Sequence, residues 1–188
     1  MTGLEFSRPV RIDTLGTVSR PMQIEADEAE RAALARRFDL QAIAQLSAEA
    51  ELARFGEIVR ASGTLAAKVT QSCVATGAAV EAEVAEQFSI EFRPQPAAGG
   101  ADEEIELSEG ELDIVFYEGA SVDLGDAVAE SLSLALDPYP RCSDADLALA
   151  QAGVIKEGEE PPRGALAGLK DLLRGANPPR HEEGDRDA

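Results

Sequence analysis

The chain has 188 residues, 44% of them apolar, and sets 17 basic side chains against 36 acidic ones for a net charge of −19. That length and apolar share support one cored domain with extensions, and the charge excludes DNA as an expected partner, because phosphate contact is driven by Lys and Arg releasing counterions. No apolar run is long enough to span a membrane, Glu5 interrupts any signal-peptide pattern, and Cys73 and Cys142 are the only cysteines, which together predict a soluble cytoplasmic protein with no membrane partner.

The charge is asymmetric: residues 1–97 carry a net −4 and residues 98–188 a net −15. Any RNA contact therefore falls to the N-terminal half, and the acidic half suits a basic protein. At the N-terminus, Phe6, Val10 and Ile12 begin one extended segment and Met22 and Ile24 form another. Gly16 and Arg20-Pro21 between them give turn chemistry for an N-terminal pair of strands. Asp27, with Glu30 three residues on, caps a first helix that runs through Ala29 to Phe38.

From Leu46 to Phe92 the pattern changes to a period of two. Leu46, Ala48, Ala50 and Leu52 alternate with polar residues, and Phe55-Gly56-Glu57 turns the chain. Val59, Ala61, Gly63, Leu65, Ala67, Val69, Gln71 and Cys73 then share one face, with Arg60, Ser62, Thr64, Lys68 and Thr70 on the other. A short connection over 75–79, with Gly77 free to take positive φ, predicts a hairpin into Val80, Ala82, Val84, Phe88, Ile90 and Phe92. Pro94 to Gly100 and the acidic run to Glu104 read as an excursion within a further hairpin. Ile105, Leu107, Leu112, Ile114 and Phe116 supply one or two more strands.

From Ser121 the period becomes helical. Asp123 or Ser121 caps a helix in which Leu124, Val128, Leu132 and Leu136 recur every four residues, and Asp137-Pro138-Tyr139-Pro140 stops it. The expected fold is α+β: an antiparallel meander of about five to seven strands, free to curve strongly or even to a barrel-like form, packed by that helix. The expected organisation is a single domain over 1–150, a linker at 151–164, a short amphipathic helix at 165–174 and a disordered charged tail at 175–188.

Catalytic signatures are sparse. His181 is the only histidine, there is no CxxC, and no GxGxxG, GxxxxGK[ST] or GxSxG occurs. Cys73 lies on an apolar strand face with no cationic neighbour in sequence to make it a thiolate, so it reads as core, with a cysteine-based redox sensor as the alternative. No catalytic residue, metal site or cofactor is expected. The acidic run from Asp102 to Glu111 reads as a solvated face. Basic residues that could meet an RNA backbone or another partner are Arg31, Arg36 and Arg37 on the first helix and Arg60 and Lys68 on a strand's wet side.

Three blocks of sequence carry a resemblance. They are Gly63-Thr64-Leu65 leading into Val69-Thr70-Gln71-Ser72-Cys73-Val74-Ala75-Thr76, then Val122-Asp123-Leu124-Gly125 opening a helix through Glu130 to Pro138-Tyr139-Pro140, and last Ala165-Leu166-Ala167-Gly168-Leu169-Lys170. In these the chain resembles the YceD, or large ribosomal RNA subunit accumulation, family. Its motif maps here onto Gln71, Cys73, Thr76, Glu130, Pro138 and Pro140. Many members have a second cysteine where Thr70 stands, and an Asn-Pro-Phe where this chain has Arg163-Gly164-Ala165. The resemblance implies a non-enzymatic, bacterial, cytoplasmic assembly factor that supports synthesis, processing or accumulation of 23S ribosomal RNA, with a ribosomal protein or large-subunit precursor rRNA as partner. A small-molecule binding module, which needs a cavity inside the curved sheet, is a further alternative.

Overall fold

The structure is a computed structural model that describes residues 5–96 and 113–154. Its longest elements arise where the two-residue alternation is strictest. In chain order they are β1 (Pro9–Arg11), β2 (Arg20–Glu25), α1 (Glu28–Arg37), β3 (Ala42–Phe55), β4 (Ile58–Ser72), β5 (Ala79–Pro94), β6 (Asp113–Tyr117), β7 (Ser121–Asp123), α2 (Leu124–Ala135) and α3 (Ala145–Gln151). Residues up to Ala145 form one compact unit and those from Asp146 a second. Among the described residues, β2-β3-β4-β5-β6 make a five-stranded sheet, while β1 and β7 pair separately.

The β3–β4 and β4–β5 pairs are long antiparallel hairpins, with Gly56 at φ 65° and Gly77 at φ 72° in their turns. Val59, Ala61, Leu65, Ala67 and Val69 of β4 are buried, and Arg60, Ser62, Thr64, Ala66 and Lys68 are exposed. α1 starts at a capping box: Asp27 accepts from the Glu30 amide and Glu30 from the Asp27 amide. α1 packs on β3, and α2 on β4 and β5. Leu34, Leu46, Leu65, Phe88, Ile90, Leu124, Val128 and Leu132 therefore share one core on the sheet's inner face, making a two-layer α+β unit.

Three sequence expectations are corrected. The N-terminal segments do not pair with each other: β2 joins β3, placing Met22 opposite Ala50 and Ile24 opposite Ala48, while β1 joins β7. Burying the apolar side of β2 on the main core decides this. The sheet is mixed, because β6 runs parallel to β5, with Phe92 opposite Val115. These two strands therefore do not form the expected hairpin with each other. The sheet is also open rather than barrel-like, with β2 and β6 as its edges. The acidic loop of 97–104, the strand residues Ile105, Leu107 and Leu112, the helix of 165–174, the tail of 175–188 and all but the first residues of the 151–164 linker lie outside the described residues.

Candidate functional site

One face of the sheet is filled by α1 and α2, so whatever the protein presents from the sheet it presents from the other. The centre of that outer face is made of short side chains, Ser62, Thr64, Ala66 and Ala85, all exposed. Glu49 and Glu51 of β3, Glu25 of β2, and Glu81 and Glu83 of β5 stand exposed around them. At the far end Phe55 and Phe116 are 47% and 43% exposed, with Arg60 over the Phe55 ring and Arg93 nearby on β5.

The candidate cations divide between the two layers. Arg60 and Lys68 lie on the outer face of β4, eight positions and so roughly 26 Å apart along the strand. Arg31, Arg36 and Arg37 ride on α1 across the sheet, so the two groups do not form one surface. Arg36 is exposed. Arg31 donates to the Ala26 carbonyl at 2.6 Å. Arg37 reaches Asp126 at 3.1 Å, Glu5 at 3.3 Å and Glu130 at 4.0 Å. The hydrogen bond to Asp126 is the main reason its guanidinium is held above its ordinary pKa. Lys68 pairs with Glu83 at 2.9 Å, which raises the lysine and lowers the glutamate. Arg60 donates to Glu91 at 2.9 Å.

Glu91 is the polar residue that alternation alone places on the wet face, yet its side chain is only 3% exposed. Burial acts to raise its carboxyl and is the largest single influence. Hydrogen bonds from Arg60 and Arg93, aided by their charges, outweigh it and hold the group below its ordinary range. A carboxyl lowered by folding stabilises fully above its unfolded pKa, near 4.5, and loses that contribution as pH falls through the folded value. Glu91→Gln is accordingly expected to cost about 2 kcal/mol at pH 7, discounted for the partly exposed arginines. The difference from wild type in urea midpoint should shrink below about pH 4. A pH-independent difference would contradict this account.

Four of the residues that carry the resemblance, Gln71, Cys73, Thr76 and Pro140, meet in a staple, while Glu130 and Pro138 lie outside it. Gln71, 7% exposed at the end of β4, donates to the Asp137 carbonyl at 2.9 Å, and the Val74 amide donates to the Pro140 carbonyl at 2.9 Å. Two residues on, the Cys142 amide donates to Cys73 Sγ at 3.3 Å, and Thr76 Oγ1 lies 3.3 Å from Cys142 Sγ. α2 ends at Ala135, and the chain beyond it bends at Pro138 and Tyr139, leaving the Asp137 and Pro140 carbonyls to these donors. Pro140 is buried and Pro138 exposed, while Glu130 is exposed beside Arg37. Sequence reading missed Asp137 and Cys142 as members of this cluster.

Cys73 is buried, as its strand face predicts, and its sulfur accepts hydrogen bonds there. The Cys142 amide foremost, then the Thr76 hydroxyl and the Ala75 amide, act against burial and pull the thiol down to about 6. Backbone dipoles do here what a missing cation would have done. Beside the staple runs a groove of about 470 Å³ lined by Phe38, Leu40, Val74, Leu134 and Leu136. A second cavity, of about 760 Å³, lies between α2 and the sheet and is lined by Gly63, Glu86, Phe88, Ser131 and Leu134. Among the described residues, no three His, Cys, Asp or Glu side chains converge as a metal site requires, and no helix is long and apolar enough to cross a membrane.

Comparison with curated proteins gives no match, and comparison with solved structures gives none. Residues 61–173, from β4 through the staple and on to residues outside the described part, match the family described as large ribosomal RNA subunit accumulation protein YceD. On that match over more than half its length, the chain belongs to the YceD family of large ribosomal RNA subunit accumulation proteins.

Proposed function

We propose that this protein supports accumulation of 23S ribosomal RNA without catalysis of its own, by holding a basic ribosomal protein of the large subunit on its acidic outer sheet face. One observation carries the reading. On that face the cations that could meet RNA are each held by a carboxylate, Arg60 by Glu91 and Lys68 by Glu83, while Glu25, Glu49, Glu51 and Glu81 stand exposed around a centre of short side chains. A net charge of −19 makes approach of a basic partner favourable and steers its encounter. A second reading is direct contact with precursor rRNA. It rests on exposed Phe55 and Phe116 beside Arg60 and Arg93, since bases stack on aromatic rings next to arginine; Arg31, Arg36 and Arg37 would serve it only as a separate contact on the other layer.

The test is a pull-down from bacterial lysate with and without ribonuclease. Large-subunit proteins are expected to remain bound after ribonuclease, and to be lost when Glu49, Glu51 and Glu81 are all replaced by Lys. Loss on ribonuclease treatment, and on Phe55→Ala with Phe116→Ala, favours the RNA reading instead. Absence of ribosomal components from both samples sinks both.

A further inference from the structure

We propose that Cys73 and Cys142 form an oxidisable pair that closes to an intramolecular disulfide by exchange with a low-molecular-weight disulfide of the glutathione class, fastening the chain after α2 to the β4–β5 turn. This goes beyond the docking role above and does not depend on it. The two residues are 69 positions apart in sequence, yet the amide of one donates to the sulfur of the other at 3.3 Å. The Thr76 hydroxyl, in the same turn as Cys73, lies 3.3 Å from Cys142 Sγ. Both cysteines are free. Neighbouring hydrogen bonds already tie the two segments together, from the Val74 amide to the Pro140 carbonyl and from the Gln71 side chain to the Asp137 carbonyl, so bringing the sulfurs to bonding distance costs little further chain freedom.

The two thiols are unequal, and this sets the order of steps. Cys142 is partly exposed and Cys73 is buried, at 3%. Cys142 gives its proton to water and attacks one sulfur of the external disulfide, whose S–S bond breaks and releases one thiolate. The Cys73 thiolate, favoured at neutral pH by the amides around it, then attacks the Cys142 sulfur of this mixed disulfide. A Cys73–Cys142 bond forms, the second thiolate leaves, and both leaving groups take up protons. The chain loses two electrons and two protons, and the external disulfide gains them as two thiols.

The experiment uses the reduced full-length protein incubated with excess glutathione disulfide at about pH 8, with intact mass followed after acid quenching. Wild type is expected to become two hydrogens lighter, to lose both free thiols and to regain them with dithiothreitol. Cys73→Ser is expected to stop at the mixed disulfide of Cys142 with glutathione. Cys142→Ser should react about ten-fold more slowly or less, its one thiol being buried. An unreacted dithiol, a stable glutathione adduct or a cross-linked dimer as the wild-type end product overturns the proposal, and that readout decides even if a serine variant fails to fold. The oxidised chain should also melt higher, by roughly 10 °C for a loop of this length; an equal or lower midpoint overturns the fastening.

Discussion

Gly63→Ala is expected to lower the stability of the folded chain by at least about 3 kcal/mol. Gly63 sits in the middle of β4, between Ala50 of β3 and Phe88 of β5, on the face that packs the core. A Cβ there would meet the Ala50 Cα at 2.8 Å and the Glu49 carbonyl oxygen closer still. Both obstacles are backbone, so no rotamer change relieves them and the β3–β4 hairpin must shift. Because that hairpin holds Leu46, Leu52, Val59 and Leu65, all at most 1% exposed, the strain reaches the centre of the core. Natural stabilities are about 5–15 kcal/mol, so the loss is a large share of the whole. Gly16→Ala is the control, since nothing lies within 4 Å of its added Cβ; it should change stability by less than about 0.5 kcal/mol. Urea unfolding of both variants checks the pair, and equal midpoints would refute the close-approach account of Gly63.

Asp123→Ala carries the second large effect, at about 3 kcal/mol. The side chain caps α2 by accepting from the Gly125 and Asp126 amides at 3.0 and 3.1 Å. It also accepts from the Arg8 amide at 2.8 Å and from the Ser7 hydroxyl, so one carboxylate both starts the helix and ties down the N-terminal segment. That segment carries Phe6, 1% exposed, and passes so close to α2 that a Cβ on Gly125 would lie 2.6 Å from the Phe6 carbonyl oxygen. Alanine leaves all these donors without their acceptor. Asparagine keeps one oxygen and should recover more than half of the loss. Hydrogen exchange separates the two roles: the Arg8 amide should lose protection in Asp123→Ala well before the amides of β4. Unchanged Arg8 protection would mean that the tether is held by something else.

The hairpins from Ala42 to Pro94 were legible because alternation over many residues fixes register: slipping by one would expose Leu46, Leu65 and Ile90 together. The capping signals at Asp27 and Asp123 were legible for a similar reason, since capping is local and its partners lie within three residues. Glu91 stands where alternation puts a solvated residue, yet it is buried, because burial there depends on Arg93 and on the neighbouring strands, which no period records. The pairing of Arg37, read as a possible RNA or partner contact, was not legible because its partners Glu5 and Asp126 belong to other elements. The direction of β6 was not legible at all. A strand's pattern is the same read either way, and only the route of the preceding connection distinguishes hairpin from crossover.

The sequence by itself determined the α+β class, the two long hairpins, the starts of α1 and α2 and membership of the family, since each rests on local period or on motif order along the chain. Tertiary structure alone decided which cations remain available on the sheet's outer face, the pairing of β1 with β7, and the meeting of Cys73 with Cys142. Those depend on contacts between residues far apart in the chain, and such contacts follow from how the layers close rather than from any pattern a single segment carries.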